Sequence, residues 1–401
     1  MHSEVLILAI FAFLYSIVAG RIERSVVSGP VVFVSSGILM GPLVLGWFEG
    51  GLLREQLRML ADMTLVLILF SDAANAELSV LRSKLKIPAR MLLIGLPGVI
   101  LLGFVLALVL LDALSIYEAA VLGIILAATD AALGKAVIAD ERVPDWIRAS
   151  LNAESGLNDG ICVPFLFIFI ALALEATGTA ASSVDPLLIV IEEIGIGLLV
   201  GLGLTWVAGL LLKFSMSKGW LTEVWAQVTV PALALACFAL ATELHGSGYI
   251  AAFTGGLLFG RLLGKSKHQF VVAAEGIGEA LAMLTWLVFG VAVVAGIIGL
   301  VTWQIMIYAL LSLTVVRILP IFLSLTGTAS TKHDRLFLGW FGPRGLASIV
   351  FVVIVLDSDL PGGEVIALVV ILTVFLSLIA HGFTAKPLSK WISRQHSGTG
   401  D

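Results

Sequence analysis

The chain has 401 residues, of which 59% are hydrophobic and only 13% charged, about half the ~25% of an ordinary soluble domain. That disfavours a soluble protein with buried helices, and the formal charge of −5 says less than where the charges lie. The two cysteines, Cys162 and Cys237, both sit in apolar runs, which argues against a disulfide framework or a thiolate metal site.

In chain order, apolar runs fit to cross a ~30 Å hydrocarbon core are expected at 5–20, 26–45, 57–75, 87–111, 118–139, 149–174, 186–212, 224–243, 249–264, 277–298, 303–325, 336–357 and 364–385. Each must be a helix, since barrel strands would be about 10 residues long with alternating polarity. The opening Met1-His2-Ser3-Glu4 lacks the basic stretch of a secretory signal, so the first run reads as a retained span. The ninth is short, which suits a tilted or partly re-entrant helix. The expected fold is an all-α membrane protein with about thirteen transmembrane helices.

Lys and Arg set the expected orientation. One set of alternate connections holds Arg21 and Arg24; Arg82, Lys84, Lys86 and Arg90; Arg142 and Arg148; Lys213 and Lys218; Arg261, Lys265 and Lys267; Lys332 and Arg335; and Lys386, Lys390 and Arg394. The other set holds only Arg54 and Arg58. This bias puts the N-terminus outside and the C-terminus in the cytoplasm, in a bacterial-type inner (plasma) membrane, and requires an odd number of spans. An odd number suits inverted six-helix repeats around one linking helix. Repeat one is expected at about 1–175, the linking helix at about 186–212, repeat two at about 224–390 and a cytoplasmic tail at about 386–401, all within a single transporter domain. Break signals fall at matching places in the two halves, in Ala128-Thr129-Asp130-Ala131-Ala132-Leu133-Gly134 and in Gly342-Pro343-Arg344-Gly345. Pro343 removes a backbone donor in mid-span, and its flanking glycines loosen the same turn. Such a pair predicts two interrupted helices crossing at the midplane, around a transporter's site.

Ionisable side chains inside a span cost about 2.5–3.5 kcal/mol on insertion scales and are functional candidates by default. At ~1.5 Å of rise per residue, Asp130, Glu154, Asp159, Arg317 and Arg344 fall in one slab at or just cytoplasmic to the bilayer centre. Around the sixth span's charges the chain reads Asn152-Ala153-Glu154-Ser155-Gly156-Leu157-Asn158-Asp159-Gly160. Ser155 and Asp159 share a helix face, while Glu154 points about 100° away, toward another partner. A hard monovalent cation wants oxygen ligands, and Asp159, Ser155, Asp130 and carbonyls freed at Thr129 would supply them. The plainer alternative is that these carboxylates only pair with arginines to lock helices together.

Thr129-Asp130, Glu154-Ser155 with Asn158-Asp159, Arg317 and the Gly-Pro-Arg-Gly run together resemble the monovalent cation/proton antiporters. The closer resemblance is to the sodium/proton exchanger branch, which carries Asn-Asp where electrogenic relatives carry Asp-Asp. The likeness covers essentially the whole chain. It implies that Asp159 is shared by cation and proton, with Asp130, Ser155, Asn158 and the Thr129 carbonyl completing the site. It also implies a structural bridge between Glu154 and an arginine, Arg317 ahead of Arg344, and a homodimer. Two features depart from the pattern. Ala131 stands where the family often has proline, and Lys135 is an unusual cation one turn beyond Asp130, a candidate partner of Asp140 or a cytoplasmic-side gate. Asp72 is expected near the cytoplasmic mouth, either attracting cations or as a solvated helix end beside Asn75 and Glu77.

A charge count points the same way. Three carboxylates (Asp130, Glu154, Asp159) against two guanidiniums (Arg317, Arg344) leave the slab at −1 when empty and neutral when it holds one cation or one proton. A neutral slab crosses a low-dielectric barrier more readily than a charged one. The expected function is therefore electroneutral exchange by alternating access, with sodium or lithium ahead of potassium. The count assumes that Asp62 and Asp72 lie outside the site. The alternative is a sodium-coupled organic solute symporter, which needs a substrate pocket with added polar or aromatic groups. An enzyme is not expected, because His381 lies near a span end with no evident serine partner and protease signatures around Asp130 and Asp159 are absent. No cofactor beyond the transported cation and proton is expected, and no nucleic-acid partner; the chain's surroundings are the lipid bilayer.

Overall fold

The computed structural model describes residues 2–23, 27–42, 44–48, 54–76, 86–138, 140–177, 186–297 and 299–397. Among these residues the regular elements are helices, in the order of the expected apolar runs. They are α1 (His2–Glu23), α2 (Gly29–Met40), α3 (Arg54–Asn75) and α4 (Lys86–Leu110). Next come α5 (Ile116–Ile125), α6 (Ala131–Ile138), α7 (Asp145–Ala176), α8 (Pro186–Ser217), α9 (Glu223–Glu243) and α10 (Gly248–Leu263). The last are α11 (His268–Ile297), α12 (Trp303–Ser324), α13 (Lys332–Trp340), α14 (Leu346–Asp357) and α15 (Gly363–Ser397). Among the described residues eight helices are long and apolar enough to cross a membrane, and α2, α5, α10 and α14 are apolar but shorter. Arg24, Glu77, Arg82 and Lys84 lie outside the described residues.

Short polar residues start these helices where the chain re-enters the apolar zone. Ser115 and Thr331 open α5 and α13 with capping boxes completed by Glu118 and Asp334, and Thr222, Ser247 and Thr302 cap α9, α10 and α12. Each hydroxyl satisfies an amide that the helix leaves unpaired.

Three features differ from the sequence reading. A π-helical turn, Met91–Gly95, interrupts α4 just before Pro97; proline has no N–H to close the regular ladder there, and the wider turn absorbs the mismatch. α12 breaks at Thr314 (φ −111°, ψ −90°), between Trp303–Leu313 and Val315–Ser324. The segment expected as a tail from 386 instead continues α15 to Ser397. It stays helical because it has something to pack on. Ser389 and Ile392 are fully buried, and Trp391 meets His333 edge-on at 5.3 Å between ring centres.

Packing sorts the helices into two groups. α2, α3, α8, α9, α10 and α11 pack mainly on one another, as do α4–α7 and α12–α15; the groups meet chiefly where α3 touches α7 and α14 and where α7 touches α8 and α10. Every residue of the expected slab lies in the second group.

Glu118 fixes one end of that second group. Its carboxylate accepts the Ser115 amide (2.8 Å) and, across the fold, the Gly362 amide that precedes α15 (2.6 Å). It is only 4% exposed, so both amides would be stranded without it. Glu118→Ala is expected to destabilise the protein by about 2 kcal/mol and Glu118→Gln by less, as read from thermal unfolding in detergent.

Candidate functional site

Both predicted breaks are present, and they face each other. The chain leaves helix after α5 and resumes it at Ala131; it leaves α13 at Trp340 and resumes at Leu346. The Asp130 amide donates to the Pro343 carbonyl (2.8 Å), and the Ser348 hydroxyl donates to the Ile125 carbonyl (3.0 Å). The Arg344 guanidinium, fully buried, donates to the carbonyls of Ala127 (2.9 Å) and Ala128 (3.2 Å) beyond the end of α5. A cation is thus set against a helix C-terminus, where the macrodipole favours it.

Asp130 mirrors this arrangement. One carboxylate oxygen accepts the Leu133 amide of α6 (3.0 Å) and the other the Leu346 amide of α14 (2.7 Å). One anion therefore caps two helix N-termini. Both oxygens thereby meet amides that would otherwise be orphaned in an apolar medium. A Cβ at Gly345 would collide with this carboxylate, which accounts for the glycine.

The remaining expected ligands converge on one point. Asp159 and Asn158 lie on unbroken α7 and are buried. Asn158 donates to the Thr129 hydroxyl (2.5 Å), which lies 3.2 Å from the Ser155 hydroxyl. The Thr129 amide hydrogen-bonds to Asp159. Because the Leu133 amide goes to Asp130, it does not close a helical turn on the Thr129 carbonyl. Among the described residues, one oxygen of Asp159 and the side-chain oxygen of Asn158 are buried without a hydrogen-bond partner. Two unsatisfied acceptors beside two hydroxyls make an oxygen cluster suited to a hard cation or a proton.

Access to this cluster is one-sided. A cavity of about 920 Å³ is walled by Asp72 and Asn75 of α3, Glu275 of α11 and Asn152, Ala153 and Gly156 of α7. Asp72 lines this cavity, and a Cβ at Gly156 of α7 would lie in ordinary contact with it. Asp159 lies about one helical turn beyond Gly156. Toward the other end the groups are in contact. The Phe253 ring covers Gly160 and Arg58 pairs with Asp357 (2.5 Å), while within the first group Tyr249 donates to Asp62 beside Arg58. Asp62 therefore stands in this closed end, apart from the oxygen cluster.

The Lys135 side chain lies outside the described residues. Its expected partner, Asp140, is engaged by Arg142 at 2.6 Å, which holds that carboxyl below the usual carboxylate range. The reading of His381 needs correction. It lies well inside α15, 1% exposed, with the Ser377 hydroxyl 3.1 Å from Nδ1. Its partner is one turn back on the same helix, a spacing that two residues in a long apolar run do not advertise.

Comparison with known proteins agrees with this architecture. The family profile described as "Sodium/hydrogen exchanger, transmembrane" matches residues 7–391. A protein named K(+)/H(+) antiporter NhaP, from Alkalimonas amylolytica, is 27% identical over 391 residues, covering 95% of this chain and 65% of its own length. A probable Na(+)/H(+) antiporter of Schizosaccharomyces pombe is 25% identical over 349 residues, covering 82% of this chain and 45% of its own. The chain therefore spans two thirds or less of the length of these curated relatives. The solved structure of the sodium proton antiporter MjNhaP1 from Methanocaldococcus jannaschii superposes with a TM-score of 0.77 at 21% identity, covering 94% of this chain and 98% of that one. That likeness shows the fold.

Beside the oxygen cluster, Glu154 and Arg317 form a two-pronged ion pair at 2.6 and 2.7 Å, each 1% exposed. The guanidinium also packs against Gly342, where any Cβ would strike it. Removing one partner leaves a buried charge uncompensated, which costs about 3–5 kcal/mol, whereas replacing both with apolar residues of similar volume is often neutral. Arg317→Ala is expected to reduce the yield of folded protein sharply. The double change Glu154→Leu with Arg317→Met should recover most of the thermal stability, measured by size-exclusion profile and melting temperature.

Proposed function

The chain belongs to the sodium/hydrogen exchanger transmembrane family, and from that premise we propose that it exchanges one monovalent cation for one proton at Asp159 without moving net charge. It is a multi-pass integral membrane protein of an antiporter family, not an enzyme. One observation carries the proposal. Asp159 is the slab carboxylate with a buried oxygen that no donor meets, while the other slab charges are already compensated. Glu154 is neutralised by Arg317, Asp130 by two helix N-termini and Arg344 by carbonyls beyond a C-terminus. Asp159 alone is left to be neutralised by a ligand, either cation or proton. Thr129, Ser155 and Asn158 supply further oxygens around it.

The set of one carboxylate and neutral oxygens suits sodium or lithium, the reading kept here. Potassium is the second reading, favoured by relatives named for it. The closed Arg58 end and the open Asp72 end support alternating access, with the Asp72 end on the cytoplasmic side by the distribution of Lys and Arg. Inverted repeats and a homodimer complete the proposal. α1 and the outer face of α8 are apolar and largely uncovered within one chain, and there a second copy would pack.

In liposomes with a trapped pH dye, an added cation is expected to raise internal pH at a rate indifferent to membrane voltage. Asp159→Asn is expected to abolish the signal with the protein still folded. Normal exchange by that variant would remove Asp159 from the role. Solute-dependent sodium uptake without proton movement would instead favour the symporter.

The Arg58–Asp357 pair spans the two groups at the closed end. Arg58→Gln or Asp357→Asn is expected to increase severalfold the labelling of an Ala61→Cys variant by a membrane-impermeant thiol reagent applied outside. Unchanged labelling would show that the pair does not hold that end shut.

A further inference from the structure

We propose that His381, acting with Ser377, is a positioning residue for the ion site: it clamps the unwound segment 341–345 and through it fixes the position of Thr129. The inference rests on the exchange reading of Asp159 and concerns how the ligands are held.

An interrupted helix inside a membrane must find partners for each amide and carbonyl it releases. Around segment 341–345 some of these are met from α13 or the facing break: the Phe341 amide by Phe337, the Gly342 amide by Trp340 and the Pro343 carbonyl by the Asp130 amide. Two are met from α15. The Trp340 carbonyl faces His381 Nε2 at 2.9 Å, and the Arg344 amide donates to the Ser377 hydroxyl at 2.7 Å. The hydroxyl in turn lies 3.1 Å from His381 Nδ1. One turn further along, Thr384 accepts the indole N–H of Trp340 at 2.9 Å. Ser377, His381 and Thr384 thus lie on one face of α15 and grip both sides of the break.

A carbonyl only accepts, so His381 Nε2 carries a proton toward Trp340, and an amide only donates, so the Ser377 hydroxyl oxygen accepts from Arg344. His381 Nδ1 lies between that hydroxyl at 3.1 Å and the Ser377 carbonyl at 3.0 Å, and the Trp340 ring, 5.2 Å away between ring centres, packs over the imidazole. Among the described residues, a purely apolar residue at 381 would remove the one link between α15 and the Trp340 carbonyl, which would keep only the Gly342 amide.

The clamp reaches the ligands through two contacts already described. Arg344, whose amide Ser377 holds, grips the carbonyls of Ala127 and Ala128, and Pro343 accepts the Asp130 amide. Thr129 lies between these anchor points, in non-helical chain, with its hydroxyl meeting Asn158 and Ser155 of α7. If segment 341–345 slackens, the Thr129 hydroxyl and amide lose their fixed relation to Asn158 and Asp159. The first consequence is poorer cation binding, before any loss of folding.

The test uses His381→Ala, Ser377→Ala and His381→Gln in the full chain. Hydrogen–deuterium exchange of the peptide spanning 341–346 is expected to quicken in the two alanine variants. In proteoliposomes, with whichever of sodium, lithium or potassium drives exchange in the unaltered protein, the apparent KM for the cation is expected to rise about tenfold. That is the scale of one lost hydrogen bond. Maximal rate should stay within about twofold. His381→Gln keeps a donor toward Trp340 and is expected to recover part of the KM. Ser377→Ala removes only a hydroxyl and serves if His381→Ala does not fold. Unchanged exchange of 341–346, or a fall in maximal rate at constant KM, would overturn the proposal. An unaltered protein silent to all three cations would instead sink the exchange reading, and the deuterium arm would still decide whether the clamp exists.

Discussion

Within hydrocarbon, a backbone amide or carbonyl that leaves its helix has no water to turn to, and the slab at the centre of this protein is arranged around that constraint. Two helices unwind at the same place, and each supplies what the other lacks. The Pro343 carbonyl takes the Asp130 amide, Asp130 caps both outgoing half-helices, and Arg344 covers the carbonyls where α5 ends. Neither break would be tolerable alone. The charges at the crossing are the counter-charges that exposed helix ends require, so they are structural before they are functional.

That accounting explains why one carboxylate is free to work. The slab has more anionic groups than its guanidiniums balance, and the helix termini and the Glu154–Arg317 pair absorb all but Asp159. Its surroundings are also divided in stiffness. Ser155, Asn158 and Asp159 ride on a continuous 32-residue helix, while Thr129 belongs to unwound chain and is held from outside. Under the proposed exchange, a rigid face opposite a restrained strand would take a bare proton in one state and a larger cation in the other without refolding. The whole cluster lies in one group of helices while Asp72, Glu275, Phe253 and Arg58 belong to the other, an arrangement that fits the proposed alternating access, in which the groups would shift and the ligands keep their partners.

Much of this was legible in the sequence because hydrophobic runs, proline and misplaced charges each have a local cause. The spans, both breaks and the convergence of Asp130, Glu154, Asp159, Arg317 and Arg344 follow from pattern and depth, while the preference of Glu154 for Arg317 comes from the resemblance to the cation/proton antiporters. What escaped depends on partners far away in the chain. The capping of α14 by Asp130 is invisible in the sequence, because nothing local reveals that the Leu346 amide, 216 positions away, needs an acceptor. His381 looked unpartnered because its role concerns Trp340 and Arg344, on another element. The α15 extension depended on surface supplied by α13.

The departure at Ala131 shows how such a change is absorbed. Residue 131 is the first position of α6, where proline is favoured because its missing N–H is an orphan anyway. Proline there would stiffen the entry into the helix but contribute no hydrogen bond. The turn is instead fixed by Asp130, whose amide is held by Pro343 and whose carboxylate holds the Leu133 amide. Replacing the ring with a methyl group therefore leaves every contact that defines the break in place. It shifts the burden of rigidity onto the facing segment, and so onto the Ser377–His381 face of α15 that restrains it.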